Sequence, residues 1–228
     1  MFAEKRKKGR TTKFAEENKT SHRIVHFARF VEQFTIGGVN ILVARLPAEI
    51  DLAYSRLGTS AVLGCDTETS SLNPKYGKLF SIQFSDGEFN VLIPISEGID
   101  AGPFITILSD PAIVKIFHNA KFDTEFLREG GITVQNVFDT MIAEKVLTRG
   151  ANQSASLAET LYRYFAVDLE KSHRSKFNKS WNGVWTDELV DYALSDVVHL
   201  PTLRREQMAW MERLGLTAEF ESQMRKLY

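Results

Sequence analysis

Apolar and polar positions change rhythm along this chain. Residues 1–23 show little apolar periodicity, and from about Thr35 onward the pattern is that of an α/β domain. Ile41, Leu42 and Val43 read as a strand, Pro47 as the opening of a helix and Gly58 as its end. The apolar run 61–65 then leads straight into Asp66-Thr67-Glu68. After Gly77, residues 79–84 and 89–95 read as two strands joined through Asp86-Gly87, a hairpin signal. Residues 114–117 predict a further strand, feeding a helix through Phe122, Phe126 and Leu127 that stops at Gly130-Gly131. The later segments predict mainly helix. Ser156 and Glu159 have capping-box spacing before an apolar-periodic stretch, and 186–200 predicts another helix that Pro201 should kink or end. Between them, the polar and aromatic residues 171–185 read as a loop.

Composition narrows the class. With 228 residues, 43% hydrophobic and 25% charged, the chain is too apolar for disorder and long enough to bury a sizeable core. A single cysteine, Cys65, excludes an internal disulfide and a cysteine-based zinc site, and points to a reducing, cytoplasmic compartment. No apolar run approaches a membrane span and the N-terminus lacks the apolar core of a secretory signal, so neither a membrane nor a secreted protein is expected. Charge is uneven: residues 1–23 carry a net +5 within an overall −1. Residues 1–34 therefore read as a basic arm or linker, able to track phosphates but equally an ordinary solvated tail, and residues 35–228 as the working domain.

The acidic residues are placed more tellingly than they are numerous. Asp66 and Glu68 end an apolar strand, where positions i and i+2 share a face, so two carboxylates converge beside a hydrophobic core. Such a pair wants a cation or strong donors. Asp123 follows the strand 114–117 and the turn His118-Asn119-Ala120, again near a strand's C-terminal end. Tyr192 and Asp196, spaced i and i+4, project from one helix face beside Leu189, Ala193 and Val197. Each feature also has an ordinary reading: a solvated strand end, a first-turn helix carboxylate, or a phenol bonded to a solvated Asp.

Taken jointly, Asp66-Thr67-Glu68-Thr69, His118-Asn119-Ala120-Lys121-Phe122-Asp123 and Tyr192-Ala193-Leu194-Ser195-Asp196 resemble, in order, the three exonuclease motifs of the DEDD superfamily. That superfamily includes ribonuclease D and the proofreading domains of family A DNA polymerases. Phe138-Asp139-Thr140 and Ser156-Leu157-Ala158-Glu159 fit the same context, and the resemblance covers roughly 41–213. Tyr at 192 and Asp at 191 resemble the tyrosine (DEDDy) rather than the histidine subclass.

The resemblance implies a ribonuclease H-like fold, a mixed β-sheet flanked by α-helices. It implies a metal-dependent 3′-5′ exonuclease releasing nucleoside monophosphates from single-stranded ends, with two divalent ions, Mg²⁺ or Mn²⁺, as cofactors. Asp66, Glu68 and Asp196 would bind one ion, Asp66 would bridge to the second, and Asp123 would hold that one largely through water. Tyr192, whose ordinary pKa is about 10, would position the attacking water rather than take its proton. Thr69, Leu72 and Asn119 match contacts to the terminal nucleotide, Leu72 by wedging against its base, although an ordinary core leucine is equally consistent with the sequence. The first two motifs lean to DNA as the partner, with a ribonuclease D-like exoribonuclease as the alternative. A non-catalytic nucleic-acid-binding module or a small-molecule phosphatase on the same fold are the competing classes. Phe177, Trp181 and Trp185 are expected to pack on the domain in preference to stacking on bases, and Asp139 to cap a helix. The histidines are read as structural or solvated, and Cys65 as a packed thiol.

Overall fold

The computed structural model describes residues 35–36, 39–149, 151–169 and 173–226, so the basic arm over 1–34 lies outside the described residues. The chain divides into two units, 1–40 and 41–228. In the first, β1 (Thr35–Ile36) pairs antiparallel with the start of β2 (Val39–Val43).

The second unit is an α/β body. Its strands are the rest of β2, then β3 (Val62–Thr69), β4 (Leu79–Ser85), β5 (Phe89–Ile93), β6 (Val114–Phe117) and β7 (Val137–Asp139). Its helices are α1 (Pro47–Leu57), α2 (Gly102–Ser109), α3 (Ala120–Glu129), α4 (Thr140–Thr148), α5 (Leu157–Phe165), α6 (Asp187–Ser195), α7 (Leu200–Leu214) and α8 (Thr217–Met224). The sheet order is β2-β5-β4-β3-β6-β7: antiparallel from β5 through β4 to β3, parallel from β3 through β6 to β7. The Asp86-Gly87 turn joins β4 to β5 as the sequence predicts, with Gly87 at φ +97° and the Asp86 carboxylate accepting from the amides of Glu88 and Phe89.

Strand alternation sorts the core into two layers. Leu63 and Cys65 of β3, Ile82 and Phe84 of β4, and Val91 and Ile93 of β5 pack with α1, α2 and α3 through Ala53, Leu57, Phe104, Leu108 and Leu127. Ile116, Leu92 and Phe138 belong to the other layer, with Ile142, Leu161, Leu189, Leu203 and Phe220 of α4 to α8. Gly64 and Asp66 of β3 point the second way. There the junction between α6 and α7 lies so close that a Cβ on Gly64 would come within 2.6 Å of the Val197 carbonyl oxygen and 3.1 Å of Leu200 Cβ.

That junction corrects the sequence expectation. The helix predicted over 186–200 ends at Ser195, and Pro201 stands in the first turn of α7. Proline needs no amide partner in a first turn, so it starts a helix here instead of ending one. No helix among the described residues is long and apolar enough to cross a membrane.

Candidate active site

β3 delivers the first two carboxylates. Asp66 and Glu68 stand opposite Gln83 and Ser81 of β4, and a register irregularity between Glu68 and Thr69 ends the regular pairing just beyond them. Asp196 follows α6 directly, one residue before the carbonyl that rests on Gly64. Carboxylate oxygens of Asp66, Glu68 and Asp196 lie within 4.8 Å of one another.

Asp123, in the first turn of α3, completes the group from the other side of the strand. It is 2% exposed and accepts a 2.6 Å hydrogen bond from Thr67 Oγ1, the residue between Asp66 and Glu68. It is held by Thr67 and is not one of the three residues that converge within 4.8 Å. Burial pushes its carboxyl up to about 7, against the opposing Thr67 hydrogen bond. Asp66 is pushed well above the usual carboxylate range by burial, then by the charges of Asp123, Asp196 and Glu68 in that order. Asp66 is thus the electrostatic centre of the group. Four carboxyl groups sharing one region repel one another when ionised, and an all-oxygen donor set of this kind suits a hard divalent cation.

Asp139 shapes the approach to Asp123. It caps α4, accepting from the Met141 and Ile142 amides at 2.8 and 3.3 Å, as the sequence suggests. The same carboxylate also accepts from the amides of Asn119 (3.1 Å) and Ala120 (2.9 Å), the entry to α3. Asn119 is there in the left-handed region, φ 70° and ψ 50°. Nearby, His118 Nδ1 meets Thr140 Oγ1 at 2.9 Å, and burial lowers the His118 pKa to about 4, so the ring is neutral and structural.

Tyr192 sits one helical turn before Asp196, half-buried, with His173 edge-on and Phe177 tilted against it, both at 5.9 Å between centroids. Phe177 and Trp185 are buried, and Trp181 meets Phe80 edge-on at 4.7 Å. Trp185 Nε1 donates to Ser96 Oγ, which in turn donates to the Gly183 carbonyl. These aromatics pack into the body and back Tyr192, as expected of them.

Of the residues matched to nucleotide contacts, Thr69 is buried and its hydroxyl donates to the Ser71 carbonyl. Leu72 is 77% exposed, so it is no core leucine. The sequence reading overlooked Gly64, the Thr67 bond to Asp123 and the second grip of Asp139. A glycine inside a buried strand does signal a close backbone approach, which could have flagged Gly64. A cavity of about 460 Å³ among Glu144, Arg163, Tyr164 and Trp210 includes none of Asp66, Glu68, Asp123 and Asp196.

Comparison with known proteins gives the family of the chain. The 3′-5′ exonuclease family matches residues 47–207. A ribonuclease D of Bartonella henselae is 32% identical over 154 residues, covering 67% of this chain and 37% of that protein. The chain therefore spans well under half the length of such ribonuclease D relatives. Brucella melitensis NrnC bound to pGG superposes with a TM-score of 0.71 at 30% identity, over 83% of this chain and 90% of that one. Escherichia coli RNase D, an exoribonuclease involved in structured RNA processing, superposes at 0.72 with 26% identity, over 83% and 50%. The mixed sheet with its flanking helices is ribonuclease H-like, and the chain belongs to the 3′-5′ exonuclease family of the DEDD superfamily.

Proposed function

We propose that residues 35–228 form a metal-dependent 3′-5′ exonuclease that hydrolyses the terminal phosphodiester of single-stranded nucleic acid and releases a nucleoside monophosphate. The convergence of Asp66, Glu68 and Asp196 within 4.8 Å carries this reading. The three would hold one divalent ion, and Asp66 with Asp123 a second, Mg²⁺ or Mn²⁺ in each case. Ions held by these carboxylates would supply the chemistry of the site, lowering the pKa of a bound water and offsetting charge on the departing 3′ oxygen. Tyr192, packed against His173 and Phe177, would orient the attacking water in line with the bond to be broken. The water oxygen bonds to phosphorus, the 3′ oxygen leaves with a proton, and the released nucleotide carries the phosphate. Leu72 wedges against the terminal base, with Thr69 and Asn119 beside the terminal nucleotide. A buried free thiol at Cys65 suits a cytoplasmic setting.

The lean to DNA drawn from the first two motifs gives way to RNA. Ribonuclease D relatives and NrnC bound to pGG favour a ribonucleotide strand as substrate. The test is to incubate matched 5′-labelled single-stranded RNA and DNA, and pGG, with the protein in Mg²⁺ or Mn²⁺, beside EDTA and Asp66→Ala controls. Expected is a ladder shortening from the 3′ end, faster on RNA and absent in both controls. Binding without shortening under every metal would overturn the enzyme in favour of a non-catalytic module. Deleting residues 1–23 tests the arm: a substrate-tracking arm lowers the salt dependence of binding when removed, and a simple linker leaves it unchanged.

A further inference from the structure

The loop from Ser70 to Lys78, between β3 and β4, leaves an unusual surface in water. Its first residue lies two positions beyond Glu68. The loop is stiff: Ser70 and Lys78 bond to each other through Ser70 N to Lys78 O and Lys78 N to Ser70 Oγ, at 2.9 and 2.8 Å. Asn73 takes the Gly77 amide on its carbonyl oxygen and the Lys75 amide on its side chain, at 2.8 and 3.0 Å. Gly77 rests on the Phe126 ring of α3, where a Cβ would lie 2.6 Å from the ring edge. A loop pinned at its stems, its tip and its underside has little freedom to fold its own apolar groups away.

Yet it exposes two. Leu72 is 77% exposed and Tyr76 66% exposed, while Lys75 and Lys78 stand exposed beside them, with Lys75 Nζ 5.7 Å from the Tyr76 ring. No acidic residue occurs between Glu68 and Asp86. A rigid aromatic face flanked by cations, next to a group of carboxylates, fits the alternating bases and phosphates of a single strand. The aromatic residues at 177, 181 and 185 pack on one another and, through Phe177, on Tyr192, while of the exposed aromatics Tyr54, Tyr76, Tyr162 and Trp210 it is Tyr76 that is the most exposed and stands on the loop leaving the carboxylate strand.

We propose that Tyr76 stacks on a base of the strand being shortened while Lys75 and Lys78 meet its phosphates, making this loop the substrate platform of the site. The assignment rests on the exonuclease reading and adds a residue to it. The test compares the full chain with Tyr76→Ala, Tyr76→Phe and the double variant Lys75→Gln/Lys78→Gln. Binding of a labelled short oligouridylate is followed by fluorescence anisotropy in EDTA, and its shortening by steady-state kinetics in Mg²⁺. Tyr76→Ala should weaken binding about 5- to 150-fold and raise KM accordingly, with kcat within about twofold, and Tyr76→Phe should restore both. The lysine double variant should flatten the log–log salt dependence of binding by about 0.7 for each phosphate that a lysine no longer neutralises. The side chains are exposed, so each variant should melt with the parent.

Tyr76→Ala binding the oligomer as the parent does, while the parent shortens RNA, overturns the platform alone. A parent that neither binds nor shortens any oligomer overturns the exonuclease reading with it. Unchanged oligomer affinity in Tyr76→Ala with an altered sedimentation coefficient would overturn the platform and give the surface to a second copy of the chain.

Discussion

Gly64→Ala tests whether the approach of the α6–α7 junction to β3 sets the carboxylate geometry. The added Cβ would stand 2.6 Å from the Val197 carbonyl oxygen, where contacts below 3.0 Å are essentially never seen. Backbone must therefore yield by at least about 0.4 Å, the gap between those two distances. Sideways escape is limited by Leu200 Cβ at 3.1 Å and Pro201 Cδ at 3.3 Å. Overfilling of this kind costs about 1–3 kcal/mol, and for a domain of this size that lowers Tm by roughly 2–12 °C. The larger effect is expected on catalysis, since Val197 directly follows Asp196. Sites of this type tolerate about 0.5 Å, and a misplacement of about 1 Å costs about a hundredfold. We expect kcat to fall about 10- to 100-fold below the melting range, with a higher Mg²⁺ requirement and weaker Mn²⁺ binding by calorimetry. Gly102→Ala is the control, its nearest neighbour being the flexible Asp100 carboxylate at 3.1 Å. Full activity with an unchanged metal titration in Gly64→Ala would refute the reasoning, because Asp196 would then be placed by something other than this contact.

Asp139→Ala strips the acceptor from four backbone amides and should cost about 2–4 kcal/mol, read as a lowered urea midpoint together with reduced kcat. Asp139→Asn keeps Oδ1, which serves three of the four, and should fall between Ala and the parent. The pH dependence has a definite sign: Asp123 titrates near 7 when folded against 3.8 as its ordinary value, so the metal-free folded state holds more protons than the unfolded chain between those values. Stability in EDTA should therefore fall as pH rises from about 4 to 7, and Mg²⁺ should restore it at neutral pH; a flat Tm across that window would count against the buried carboxylate group. Asp66→Asn should abolish activity yet raise Tm in EDTA at pH 8, since it removes a carboxyl whose ionised form is disfavoured first by burial and then by the charges of Asp123, Asp196 and Glu68. An unchanged or lower Tm there would contradict that electrostatic picture.

What the sequence disclosed depended on the range of the interaction. The hairpin at Asp86-Gly87, the Pro47 helix start and the Ser156 cap, whose hydroxyl accepts the Glu159 amide, are local devices, and all are present where the pattern places them. Asp66 and Glu68 were legible for the same reason, since strand alternation alone puts them on one face. Their meeting with Asp196 needed the resemblance, because no local pattern brings β3 to the end of α6. The break at Ser195 was hidden by an apolar stripe that continues through Val197 and Leu200, which read as one helix although it serves two. Asp139 was half legible: its cap lies two and three residues ahead, whereas its grip on Asn119 and Ala120 spans about twenty residues and follows only from the pairing of β6 with β7.

That grip also bears on where the chain can be lengthened. Asp139 ties the end of β7 to the start of α3, so the intervening crossover is a closed loop whose two ends are fastened by one side chain. Thr133 in it is exposed, whereas the exposed Gln135 and Asn136 are tied to the body, the Gln135 amide donating to the Leu108 carbonyl and the Asn136 carbonyl accepting from the Lys115 amide. Extra residues placed at Thr133 would lengthen the crossover while Asp139 still holds the entry to α3, which offers a position for an affinity tag or a surface tether.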